Sequence, residues 1–277
     1  MKLPLFQLQN VSLSLEGKEL LQNISFEIHE GIHTIVLGSN GAGKTLLSQI
    51  LSGNLKITSG SIQFCGEVFS PTSSYTVKQN IGCISPKLFE DFPYDTAVVD
   101  VVASGLFGSI GVFQDPRKAN NQIVKSYINR VIAKKHPESR QKVLQLLKEF
   151  DSLDCADKVF GEASQGQKIK ILICRCLMTN PRFIILDEPT TGLDVKMRSD
   201  CMKLFAQLAQ KSTLLCITHH FEEILPFYQQ GVFIKDGMVI QHDNLSEIMT
   251  SEVLSDLYES DLTVEKINQK YILFHSA

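Results

Sequence analysis

Three stretches of this 277-residue chain set reactive groups at spacings that suit phosphate chemistry. The first, GSNGAGKT, places Gly38, Ser39, Asn40, Gly41, Ala42, Gly43, Lys44 and Thr45 in a row. Glycines let a backbone curl until several N–H groups converge on one phosphate chain. A lysine at this point reaches the β and γ oxygens, and the threonine hydroxyl after it ligates Mg²⁺. The second stretch, FIILDEP, is an apolar run ending in Asp187 and Glu188. Asp187 suits the Mg²⁺ sphere, and Glu188 suits orienting or deprotonating an attacking water. The third, LLCITHH, ends in His219, placed to emerge at the same sheet edge and contact a γ-phosphate; His220 starts the next helix. A lone acid after a strand is usually a solvated turn residue, and a lone histidine there a cap. Here both stand in a chain that carries a phosphate loop.

A fourth stretch, GEASQGQKIKILICRCLMTNP, is harder to read. Ile169, Leu172, Ile173, Cys176 and Leu177 recur at helical spacing, and Asn180-Pro181 ends the run. Ser164 and Gln167 stand three apart, as in a capping box. The cap does not explain Gln165-Gly166 in the first turn. A bare helix N-terminus attracts anions.

The elements that must position these groups follow from patterning. Residues 5–15 and 20–28 read as strands around the turn EGK. GIHTIVLG reads as a buried strand feeding the glycine loop, and KTLLSQILSG as a helix stopped at Gly53. NIGCIS, RFIILDEP, STLLCITHH and GVFIKDGMVI read as further strands. Strands alternating with helices imply a largely parallel sheet. Between about 86 and 160 the texture becomes helical, with Val124, Tyr127, Ile128, Val131 and Ile132 marking one helix and Val143, Leu146, Leu147 and Phe150 another. The tail reads as a short helix and a hairpin. The expected architecture is α/β: a nucleotide-binding core over 1–85 and 161–245, an inserted helical subdomain over 86–160, and a tail over 246–277.

Bulk properties narrow the function. The chain is 43% hydrophobic and 21% charged, which permits a sizeable core. Its net charge of −3 carries no nucleic-acid footprint, so no nucleic-acid partner is expected. No apolar run is long enough to span a membrane, and the N-terminus lacks a signal peptide's apolar block. The seven cysteines are scattered through apolar stretches and read as reduced core residues of a cytosolic protein.

With these motifs in hand, the chain resembles the nucleotide-binding subunits of ABC transporters over roughly residues 3–245. GSNGAGKT looks like the Walker A motif, ASQGQ like the signature, FIILDEP like Walker B, TGLD like the D-loop and ITHH like the switch histidine. The resemblance implies a P-loop NTPase core with an antiparallel N-terminal β subdomain and an inserted helical one. It implies ATP and Mg²⁺ as cofactors, with hydrolysis carried by Glu188 and His219. It also implies two cassettes packed head to tail, with Ser164, Gly166 and Gln167 gripping the γ-phosphate bound to the other chain. Asp194 would lie on that seam. A separate transmembrane permease subunit is implied too, which would put the chain on the inner face of the cell membrane. A soluble ABC-type module and a nucleotide-gated switch are the alternatives.

Two positions depart from the family pattern. Where an aromatic ring usually stacks on adenine, this chain has Leu15. Where a glutamine usually follows the strand NIGCIS, it has Pro86 after Ser85, which leaves Ser85 or a shifted Gln79 as candidates for that role. Between Asp115 and Lys142 lie eight basic residues, Arg117, Lys118, Lys125, Arg130, Lys134, Lys135, Arg140 and Lys142, against two acids. They read either as solvated helix faces or as a face turned to acidic headgroups or partner loops. The preceding SGLFGSIGVF, with Leu106, Phe107, Ile110, Val112 and Phe113, is either core or a docking patch.

Overall fold

A computed structural model describes residues 3–107 and 137–275. The basic stretch up to residue 136, the helix read at 124–132 and the apolar residues 110–113 lie outside the described residues. The chain divides into two compact units, one comprising 1–73, 185–188 and 205–277, the other 74–184 and 189–204.

Among the described residues the first unit holds a four-stranded antiparallel sheet, most of a six-stranded sheet and a two-stranded hairpin. β1 (Phe6–Leu15) and β2 (Lys18–Ile28) pair antiparallel from Phe6↔Ile28 to Leu15↔Lys18. Glu16 and Gly17, both at positive φ, make the two-residue turn whose twist matches the strands. β3 (His33–Leu37) runs into the glycine loop, and α1 (Lys44–Leu51) follows it. β4 (Ser59–Phe64) pairs antiparallel with β1, and β5 (Glu67–Val68) with β4, giving the order β2-β1-β4-β5. Phe6, Phe64 and Phe69 pack ring against ring beneath this sheet.

The second unit opens with α2 (Tyr75–Lys78), β6 (Ile81–Ile84) and α3 (Val98–Ala103). α4 (Pro137–Glu149) buries Val143, Leu146 and Leu147, as their spacing predicts, and Phe150 is buried just beyond it. α5 (Gln165–Leu177) packs with α3 and α4. Phe160 is the hub of an aromatic cluster, 5.4 Å from Phe92 and 6.1 Å from Phe89, with the Lys168 ammonium 5.5 Å above its ring. Arg175 is buried in α5. Its Nε donates to Ser104 Oγ at 3.0 Å, and its guanidinium lies 5.4 Å from the Phe92 ring. Burial pulls its pKa down, while the Cys176, Cys83 and Asp91 side chains favour the charged form. Gly105 lies against the same helix: a Cβ there would sit 1.9 Å from the Arg175 carbonyl oxygen. Gly105→Ala is therefore expected to cost roughly 1–3 kcal/mol of stability, as overpacking does, read as a lowered unfolding midpoint.

β7 (Phe183–Asp187) is the strand at which the chain passes from the second unit to the first. α6 (Val195–Ala209), β8 (Thr213–Ile217), β9 (Tyr228–Lys235) and β10 (Met238–Asn244) follow. In the first unit β3 pairs parallel with both β8 and β9, β10 pairs antiparallel with β9, and β7 neighbours β8. β3, β7 and β8 are buried along their whole length, which explains why each reads as a continuous apolar run rather than an alternating one. α7 (Leu245–Ile248) and α8 (Ser251–Tyr258) lead to the hairpin β11 (Leu262–Ile267) and β12 (Lys270–His275). Lys235 ties α8 to the sheet through Asp256 (3.0 Å) and Glu259 (3.3 Å).

Candidate functional site

The loop after β3 is built around its glycines. A Cβ on Gly38 would meet the Ile234 carbonyl oxygen at 2.2 Å, so only glycine lets the loop leave β3 beside β9. Gly41 and Gly43 have φ of 84° and 100°, where other residues are strained. Ser39 and Ala42 close the curl through an N–H···O bond of 3.2 Å. Lys44 is only 5% exposed, and its ammonium donates to the carbonyls of Gly38 (2.8 Å) and Ser39 (2.9 Å). Its positive charge is thereby fixed at the centre of the loop. Thr45 stands in the first turn of α1, and Asn40 lies on the loop's exposed crest.

Asp187 closes β7, 5% exposed. Glu188 follows at φ 47°, in the left-handed region. Its N–H donates to the Ile217 carbonyl at 2.8 Å, so strand pairing runs one residue past β7 while the backbone turns. A carboxylate residue held in this sparsely populated conformation is the kind of local strain that clusters at functional sites. On the next strand, the Thr218 N–H donates to Val36 O at 3.2 Å and ties the end of β8 to β3. His219 comes next, and its Nδ1 lies 3.4 Å from Glu188 Oε1. The His220 ring packs on it with centroids 4.0 Å apart. Within one compact unit, the ends of three neighbouring strands thus gather the glycine loop, Asp187, Glu188 and His219. Leu15 ends β1 and is 44% exposed.

The oxygen donors at this edge suit Mg²⁺. That ion takes one or two protein oxygens and leaves its other positions to phosphate and water. Thr45 and Asp187 supply a hydroxyl and a carboxylate. Among the described residues no group of three or more His, Cys, Asp or Glu forms an all-protein cage. Such a donor set fits a cation that arrives with a nucleotide.

The second unit carries the polar helix tip. Ser164 caps α5: Oγ accepts from the Gln167 N–H at 3.3 Å, and Gln167 Oε1 accepts from the Ser164 N–H at 2.9 Å. Gln167 Nε2 also reaches Asp154 Oδ2 at 3.4 Å. A Cβ on Gly166 would meet only the flexible end of Met197 on α6, its Cε at 2.9 Å, so packing does not demand glycine there. Asp194 caps α6, its Oδ1 accepting from the Met197 N–H at 2.8 Å. After β6, Ser85 is buried and accepts from the Lys87 N–H, while Pro86 starts a 3₁₀ turn. Gln79 precedes β6, at the end of that strand remote from Ser85, and its amide donates to the Leu106 carbonyl at 3.2 Å. Of the two candidates for the missing glutamine's role, only Ser85 lies at the strand's C-terminal end.

The family profile for ABC transporters matches residues 21–191, more than half of the chain. The ABC transporter ATP-binding protein YlmA of Bacillus subtilis is 33% identical over 94% of this chain and 93% of its own length. This chain belongs to the ABC transporter family. Another relative of this ABC ATPase is the energy-coupling factor transporter ATP-binding protein EcfA of Malacoplasma penetrans. It is 32% identical over 89% of the chain and 78% of its own length. Among solved structures, the ADP conformation of MJ1267, an ATP-binding cassette of an ABC transporter, superposes with a TM-score of 0.76. It covers 93% of this chain and 99% of that one at 21% identity, and so bears on the fold alone. CbiO1 of Clostridium perfringens, part of the ABC transporter complex CbiONQ, superposes at 0.71 with 25% identity, over 91% of this ABC chain and 93% of its own. The P-loop NTPase fold expected from the motifs is thereby established, with its mostly parallel sheet beside an antiparallel one. Among the described residues no helix of the ABC subunit is long and apolar enough to cross a membrane.

Proposed function

We propose that this cassette is a Mg²⁺-dependent ATPase that works as a head-to-tail pair and drives solute transport through a separate membrane subunit, to which it binds on the inner face of the membrane. The observation that carries the reading is the 3.4 Å contact of Glu188 with His219 at the edge where the glycine loop ends. The loop N–H groups and Lys44 hold the phosphate chain. Glu188 orients the attacking water and takes its proton, and His219 lies beside it to meet the γ-phosphate. Mg²⁺, held by Thr45 and Asp187, would neutralise charge developing on the phosphate oxygens. Ser164, Gly166 and Gln167 would complete the site of the other cassette, with Asp194 on the same seam.

The decisive measurement is phosphate release from purified protein. Release is expected with ATP and Mg²⁺, and loss of release when a chelator removes the metal. Turnover that persists in chelator would remove Thr45 and Asp187 from this scheme, and no turnover in either condition would leave the nucleotide-gated switch.

Relatives carry names for different cargoes, such as the manganese transport protein MntB of Bacillus subtilis and the zinc uptake protein ZurA of Listeria innocua. Cargo choice would then lie in the membrane subunit. The base contact is a property of this chain. Stacking on an aromatic ring is worth about 1–3 kcal/mol per base in single-stranded nucleic-acid complexes, and Leu15 has no ring to offer. ATP and GTP are expected to bind within about tenfold of each other by titration, a gap below about 1.4 kcal/mol.

A further inference from the structure

The segment that carries His219 is closed at its base by a buried acid. The chain leaves β8 at Ile217, passes His219 and His220, makes a 3₁₀ turn over Phe221–Glu223 and re-enters the sheet at Tyr228. Glu222 and Glu223 are adjacent in this turn, yet Glu223 is only 1% exposed. A turn carboxylate ordinarily stays in water, and sinking one into a core costs free energy unless donors meet it. Here the Cys216 thiol donates to Glu223 Oε2 at 3.8 Å. The buried Tyr228 hydroxyl in turn faces the Cys216 sulfur. Burial, with the nearby Glu223 charge, raises the thiol well above its ordinary value, so it remains a donor to the carboxylate. Cys216 lies on the strand that enters the segment and Tyr228 on the strand that leaves it. The carboxylate is thereby tied to the strand that enters the loop. Backbone bonds continue the tie upward: the Glu223 N–H donates to the His220 carbonyl at 3.1 Å, and the His220 N–H donates to Thr218 Oγ1 at 2.9 Å.

We propose that Glu223 is a positioning residue for hydrolysis: buried and bonded to Cys216 at the end of β8, it holds the turn that keeps His219 against Glu188. The proposal rests on the catalytic reading of His219 above. It assigns Glu223 no contact with nucleotide. The loss expected on its removal is therefore in turnover and not in nucleotide binding, which the glycine loop supplies.

The test compares phosphate release and ATP affinity in Glu223→Ala, Glu223→Gln, His219→Ala and the Glu223→Ala/His219→Ala double variant. Glu223→Ala is expected to lower kcat about 10- to 100-fold, the scale of a displaced catalytic group, with ATP affinity within about twofold of the parent. Glu223→Gln keeps an acceptor for the thiol and is expected to recover most of that loss. In the His219→Ala background the Glu223 change is expected to add nothing, because both act on one group. Losses that multiply in the double variant, or a kcat left intact by Glu223→Ala, would overturn the inference. His219→Ala alone separates the two levels: if it leaves turnover intact, the catalytic reading of His219 fails as well. Should Glu223→Ala not fold, Cys216→Ala removes the donor with a one-atom truncation. It is read in the same cycle with the same two overturning outcomes.

Discussion

Replacing Glu188 with glutamine is expected to lower the maximal rate of phosphate release by about 10²–10⁴-fold, the usual worth of a general base. The substitution isolates one property. Glutamine matches glutamate in shape, keeps the 188 N–H bond to Ile217 and makes the same backbone turn. It removes only the charge and the ability to take a proton. His219, 3.4 Å away, would then face an amide. ATP affinity should change little, because the phosphate chain is held by the loop and Lys44. A Glu188→Gln protein that turns over at the parent rate would falsify the base assignment.

Ser164→Arg is expected to lower turnover at least about tenfold, equivalent to about 1.4 kcal/mol in the rate-limiting complex. The reason is geometric and electrostatic. Ser164 is exposed at the N-terminus of α5, and its side chain caps that helix. If the tip receives a phosphate bound to a second copy, an arginine fills the space that this phosphate must enter. The cap itself provides the control. Ser164→Ala loses the same cap, about 0.5–2 kcal/mol of stability, but adds no bulk. A capping role alone predicts equal losses of stability and unchanged turnover in both variants. The shared-site role predicts that Glu188→Gln dimerises at saturating Mg·ATP by light scattering, and that Ser164→Arg abolishes this. A Glu188→Gln protein that stays monomeric at high concentration sinks the pairing.

Much of the site was legible in the sequence because its parts are local. The glycine loop sits between an apolar strand and an amphipathic helix, and each of Asp187, Glu188 and His219 ends or follows a continuous apolar run. Such runs are buried strands, and neighbouring parallel strands end at one edge. What could not be read depends on non-local packing. Gly38 is glycine because of the Ile234 carbonyl, which no spacing rule predicts. Glu223 looks like its neighbour Glu222 in the sequence, and only burial separates them. Arg175 is a cation within the helix, yet it is buried, with its Nε on Ser104 Oγ and its guanidinium beside the Phe92 ring. The seven cysteines were expected in the core; Cys65, in the turn between β4 and β5, and Cys83, on β6, are in fact half-buried.

That last difference has a practical side. Alkylating reagents attack thiolates, so a thiol's accessibility and acidity decide where a probe attaches. Cys174 and Cys176 are pushed up to about 12 by burial, burial also raises Cys216 well above the ordinary thiol value, and Cys155 and Cys201 are enclosed too. A maleimide dye at neutral pH should therefore couple at Cys65 and Cys83 alone while the protein stays folded. Removing those two would give a background in which a single engineered cysteine reports distances between paired subunits.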